Sequence, residues 1–68
     1  MSKKCYDIVF HDNYGSNAIG FEETYEYCKN YIKRHNGTNW PYFSDYKGGY
    51  VQIVNVITGE VDYEVNVE

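Results

Sequence analysis

The chain has 68 residues and a net charge of −4, and 19% of its residues are aromatic: nine Tyr, three Phe and one Trp. Its length fits one domain and excludes a deep, enclosed active site, because a domain this small buries only about 60% of its unfolded surface. Its six Lys and Arg residues are not clustered, which argues against the phosphate-neutralising stripe of a nucleic-acid binder.

Cys5 to His11 reads as a strand, with Tyr6, Ile8 and Phe10 on one face and Cys5, Asp7, Val9 and His11 on the other. The run Asp12-Asn13-Tyr14-Gly15-Ser16-Asn17 is turn chemistry and ends it. Phe21 to His35 reads as a helix, because Phe21, Tyr25, Cys28 and Ile32 recur at steps of four, three and four. Glu22 and Glu23 sit in its first turn and Lys33 and Arg34 in its last, each complementing the helix dipole. Asn36 or Gly37 is the left-handed stop. Asn36-Gly37-Thr38 also matches a glycosylation sequon, which is idle without export.

Thr38 to Gly49 is a loop rich in rings: Trp40, Tyr42, Phe43 and Tyr46. It either closes one end of the core or forms an exposed patch of binding anchors. Pro41 is placed to open a short helical turn with Asn39 as its cap. Tyr50 to Ile57 is a strand, Thr58-Gly59 a tight turn, and Glu60 to Val67 the returning strand. In that last strand Val61, Tyr63, Val65 and Val67 alternate with Glu60, Asp62, Glu64 and Asn66, the pattern of one buried and one wet face.

The expected fold class is α+β: a single β-α-β-β domain spanning residues 1–68, with one helix packed on a three-stranded mixed sheet and a C-terminal antiparallel hairpin. The first two strands should be parallel across a right-handed crossover. The place of the third strand stays open. One helix covers only one sheet face, which leaves Tyr50, Val54 and Val56 on the other, with Val9 beside them unless a slip or bulge near Val54 intervenes. An apolar patch of that kind usually finds a cover.

The candidate partner-binding residues are therefore Tyr50, Val54 and Val56 on the open face, the acidic row Glu60, Asp62 and Glu64, and the helix pair Tyr27 and Tyr31. The row has carboxylates about 6.8 Å apart, close to the spacing of successive phosphates, so it suits a protein that imitates nucleic acid. Otherwise it is a solvated face that guards an edge. Tyr27 and Tyr31 lie four apart beside the core stripe, either as boundary packing or as contact rings.

Cys5, His11, Cys28 and His35 lack zinc-site spacing, and Cys28 falls on the core stripe as a small hydrophobe. Both cysteines read as reduced thiols, and no third group is evident that would activate either with His11. Asp12 to Glu23 fails as a calcium loop, since Tyr14 and Asn17 occupy its third and sixth positions. No catalytic, metal or cofactor motif stands out, and no cofactor is expected. Met1-Ser2-Lys3-Lys4 is followed by no apolar signal core, and no apolar run reaches the roughly 18 residues of a membrane span, so the reading is cytoplasmic with no membrane partner.

The stretch Asp45-Tyr46-Lys47-Gly48-Gly49-Tyr50-Val51-Gln52-Ile53-Val54, with the Thr58-Gly59-Glu60 hairpin, resembles small uncharacterised proteins of phages and mobile elements in Gram-positive bacteria. The likeness is one of style (short, acidic, rich in Tyr and Asn) over about the C-terminal third, and it carries no motif and no site. It implies a protein that acts by binding, as short phage proteins often inhibit host enzymes or defence complexes, anti-CRISPR proteins among them. The expected function is a small non-enzymatic protein-binding domain, in its sharper form a phage-type inhibitor of a host or defence protein using an acidic and aromatic surface, whose partner is another protein or a second copy in a homodimer. The alternative is a single-stranded nucleic-acid-binding module that stacks bases on exposed rings, against which the net charge speaks.

Overall fold

The computed structural model describes residues 3–68. The part of the N-terminal reading that falls on Met1 and Ser2 lies outside them. The elements are β1 (Tyr6–Asp12), β2 (Gly15–Ala18), α1 (Tyr25–His35), β3 (Tyr50–Asn55) and β4 (Val61–Asn66). They make a small α+β fold with one helix across β1 and β3. The sheet has four strands in the order β2-β1-β3-β4, and every neighbouring pair is antiparallel. The expected three-stranded mixed sheet is corrected on both counts.

The reason is a hairpin inside the stretch read as a plain turn. Asp12 Oδ1 accepts from the N–H groups of Tyr14 (2.8 Å) and Gly15 (3.0 Å), which folds the chain back tightly. The returning Gly15–Ala18 then pairs with β1 along its backbone, although its side chains are all exposed. That reversal moves the start of the helical crossover from β1 to β2. The two strands joined through α1 are therefore β2 and β3, which run in the same direction with β1 between them.

After β2 the chain stays beside β1 but slips. Ile19 N–H reaches the Ile8 carbonyl, and Tyr6 then bridges to Glu23 in both directions. That bridge stands two residues out of register with Val9↔Ala18. The spare N–H groups, those of Gly20 and Phe21, point at Asp7, whose Oδ1 accepts them at 3.0 and 2.8 Å. Asp7 is consequently buried, although it falls on the face opposite Tyr6, Ile8 and Phe10, and Cys5 is buried too.

The helix begins at Tyr25, later than expected, because Phe21–Glu23 is spent on this pairing. Thr24 caps it, its Oγ1 accepting from Tyr27 N–H at 3.0 Å. Glu26 is the acidic residue of the first turn, and Lys33, Arg34 and His35 form the basic last turn. Asn36 closes the helix in an extended conformation, and Gly37 takes the left-handed one at φ 82°. The Asn36 amide also ties down the C-terminus. Its Nδ2 donates to Asn66 O at 3.0 Å and its Oδ1 accepts from Glu68 N–H at 2.9 Å, as a peptide in a neighbouring strand would.

The core comprises Ile8, Phe10, Cys28, Ile32, Phe43, Val51, Ile53 and Val67. Phe43 carries the ring-rich loop into it. Phe43 meets Phe10 edge-on at 4.9 Å, and Tyr42 stacks on Phe10 at 5.3 Å. Tyr42 adopts φ 73°, a backbone conformation that costs a side-chain-bearing residue about 1–3 kcal/mol and is held by that ring contact. The loop re-enters the sheet at Gly49, where a Cβ would run into the backbone carbonyl oxygen of His11. No larger residue fits there without moving the strand.

Candidate interaction surfaces

α1 presents Tyr27, Asn30, Tyr31 and Arg34 along one stripe beside its buried Cys28 and Ile32. These four line an open concavity of about 150 Å³. Tyr27 and Tyr31 both meet Phe21 edge-on, at 5.6 and 5.2 Å. Tyr31 also meets His35 edge-on at 4.7 Å, and His35 lies flat against Trp40 at 4.1 Å with 10° between the planes. Trp40 Nε1–H donates to the Tyr31 hydroxyl at 2.8 Å, which locks the loop ring to the helix. Tyr27, Phe21, Tyr31, His35 and Trp40 thus form one continuous ridge. Tyr27 and Trp40 are each 46% exposed, so the ridge is held from below and open above. Desolvation, followed by the Arg34 charge, pushes the His35 pKa below its ordinary value and favours the neutral ring.

The loop cluster is divided between core and surface. Phe43, with Tyr42 and Tyr46, closes the core, while Trp40 stays at the surface. The part that sequence reasoning missed is the union of His35 and Trp40 with the tyrosines. A signal existed, since His35 extends the Tyr27–Tyr31 spacing by four more residues. Nothing local connects Trp40 to that stripe.

The open sheet face is more polar than expected. His11 Nε2 lies 2.8 Å from Gln52 Oε1, and Gln52 Nε2 donates to Glu64 Oε1 at 2.8 Å. Since the carboxylate can only accept, the amide is oriented and His11 must donate from Nε2. Tyr50 stacks on His11 at 4.7 Å. This relay crosses β1, β3 and β4: His11, in register with Tyr50, reaches Gln52 diagonally, and Gln52 stands in register with Glu64. The apolar residues of this face are Val9, in register with Gln52, and the corner where Val54 faces Val61. Val56 is exposed but lies beyond β3, in the turn, because Asn55 Oδ1 accepts from Ile57 N–H (2.9 Å) and Thr58 N–H (3.2 Å) and ends the strand early.

The acidic row does not survive as a row. The register shifts between Ile53 and Val54, with Asp62 as the extra residue of a bulge. Asp62 lies near the hydroxyl of Tyr6, which packs with Tyr25 at the helix side, and its carboxylate raises the Tyr6 pKa. Glu64 serves the opposite face through Gln52, and Glu60 lies in the turn before β4. The bulge, invisible in the strict alternation of residues 60–67, separates the three carboxylates.

Cys5 and Cys28 are free thiols, both buried. Burial pushes the Cys28 pKa up to about 11, with smaller contributions from Asp7 and Glu23, so that thiol stays neutral and unreactive. Among the described residues no group of three or more His, Cys, Asp or Glu converges as metal ligands would. Among the described residues no helix is long and apolar enough to cross a membrane. No family model, curated protein or solved structure matches this chain.

Proposed function

We propose that the chain is a small non-enzymatic protein-binding domain whose contact surface is the ridge Tyr27–Tyr31–His35–Trp40 with Arg34 at its flank. The observation that carries this reading is that Tyr27 and Trp40 are half exposed while locked in place by edge-on, stacked and hydrogen-bonded neighbours. Trp, Tyr and Arg dominate binding hot spots. Rings already fixed in the free protein lose little entropy on docking. The likeness of the C-terminal third to phage and mobile-element proteins supports a host or defence protein as the partner. The version that mimics nucleic acid through Glu60, Asp62 and Glu64 has lost its support, because Asp62 and Glu64 serve opposite faces.

The test is affinity capture with the wild-type chain and a Tyr27→Ser/Trp40→Ser double variant, alongside light scattering of both across a dilution series. A captured protein that the double variant loses supports the ridge. A concentration-dependent dimer that the same variant dissolves makes the partner a second copy. Capture that survives the double variant but disappears with Val54→Lys would move the interface to the open sheet face and overturn the assignment.

A further inference from the structure

We infer that the Tyr27–Asn30–Tyr31–Arg34 concavity is an anchor site for a carboxylate side chain, presented by an acidic segment of the partner protein next to an apolar residue. This rests on the reading of the ridge as a protein-binding surface and names what the ridge recognises. The first support is the direction of the hydrogen-bond donors. The Tyr31 oxygen already accepts from Trp40 Nε1–H, so its own proton is left to donate. Arg34 also lines the concavity and has no ion-pair partner among the described residues. Its planar fork matches a carboxylate with two parallel bonds. No acidic residue lines the concavity. Glu26 lines a separate one, on the other flank, with Lys3, Tyr6 and Tyr25.

The second support is charge. The chain carries −4 overall, yet the last turn of α1 is basic through Lys33 and Arg34. An acidic segment is attracted to that turn and repelled by the β4 side, where Glu60, Asp62, Glu64 and Glu68 lie. Size supplies the third. About 150 Å³ is below the roughly 300–1,000 Å³ of a small-molecule pocket. The concavity therefore seats one side-chain head and not a free metabolite, and further contact must come from a neighbouring residue laid against the Tyr27 or Trp40 ring. A nucleic-acid phosphate would share the donors, but the net charge disfavours a polyanion.

The experiment is selection of a displayed random peptide library on the immobilised full chain. Binding of the winning peptides is then measured by emission of Trp40, the one Trp in the chain. The expected winners place Asp or Glu beside an apolar residue. Their affinity should fall about tenfold or more with Arg34→Gln and less with Arg34→Lys, and it should weaken with salt. Circular dichroism should show both variants folded, since Arg34 is exposed. Winners without acidic residues, or with affinity indifferent to Arg34→Gln, overturn the carboxylate anchor. If such winners still need Tyr27 and Trp40, the protein-binding ridge stands without it. If no winner depends on Tyr27, Trp40 or Arg34, both readings fall. An oligo-dT probe that binds more tightly than any peptide and is lost with Arg34→Gln makes phosphate the ligand and also overturns the proposal.

Discussion

The two faces of the sheet are built from alternate residues of the same strands, yet they are held together by different physics. On the helix side Phe10, Phe43, Tyr42 and Tyr46 pack ring against ring over Ile8, Val51 and Ile53. On the open side His11, Gln52 and Glu64 are joined by hydrogen bonds, with Tyr50 stacked at one end. The first face depends on shape and on excluded water. The second pairs polar groups across the strands and leaves Val9 and the Val54/Val61 corner as its apolar part. Aromatic residues that the core cannot absorb emerge around the helix, as Tyr27 and Trp40, while on the open sheet Tyr50 is stacked on His11.

The difference can be broken most directly at Phe43. Truncating it to Ala removes the ring on which the loop is anchored and should cost about 3–5 kcal/mol. At roughly 4–8 °C per kcal/mol for a domain of this size, thermal melting should fall by more than about 12 °C. A drop of only a few degrees would mean that the loop is not part of the core.

Asp7 sharpens the comparison, because it lies in the open-face register of β1 but is buried under residues 19–21. Asp7→Ala strands the N–H groups of Gly20 and Phe21 and should destabilise by about 2–3 kcal/mol in urea titration. Amide exchange at Gly20 and Phe21 should accelerate before the rest of the sheet. A uniform change across all amides would contradict the local role.

Gln52→Ala cuts the relay between His11 and Glu64 at a partly wet site, so its cost should be about 1 kcal/mol or less. A loss as large as that of Phe43→Ala would show that the open face shares the main burden of stability.

The smallest effect belongs to His35. Its folded pKa lies below the ordinary 6.5, so the unfolded chain takes up the proton first. The stability contributed by neutral His35 is fully present above about 6.5 and is lost as the pH falls from there through the lower folded pKa. Melting temperature should therefore drop more between about pH 7.5 and about pH 5 in the wild type than in His35→Gln, with Trp40 emission changing in the same interval. Equal drops would show that the His35–Trp40 stack does not sense the proton.

Of the site, Tyr27 and Tyr31 were legible because helical spacing is a local property, and His35 was legible in principle for the same reason. Trp40 and the donor set around Arg34 were not, because they depend on where a loop of irregular backbone comes to rest. The splitting of the acidic row is not legible, because a bulge adds one residue without leaving a mark on alternation.

By itself, the sequence determined α1, the three longer strands, the terminal hairpin and most of the buried residues. Each follows from a period of apolar residues that only one element type can bury. Only the tertiary structure decided strand β2, the antiparallel pairing of β1 with β3, the burial of Asp7 and the face on which each acidic residue sits. Those features are held by backbone hydrogen bonds, by carboxylates capping loose N–H groups and by a register shift. They join residues distant in the chain through groups common to every amino acid, so no pattern of side chains announces them.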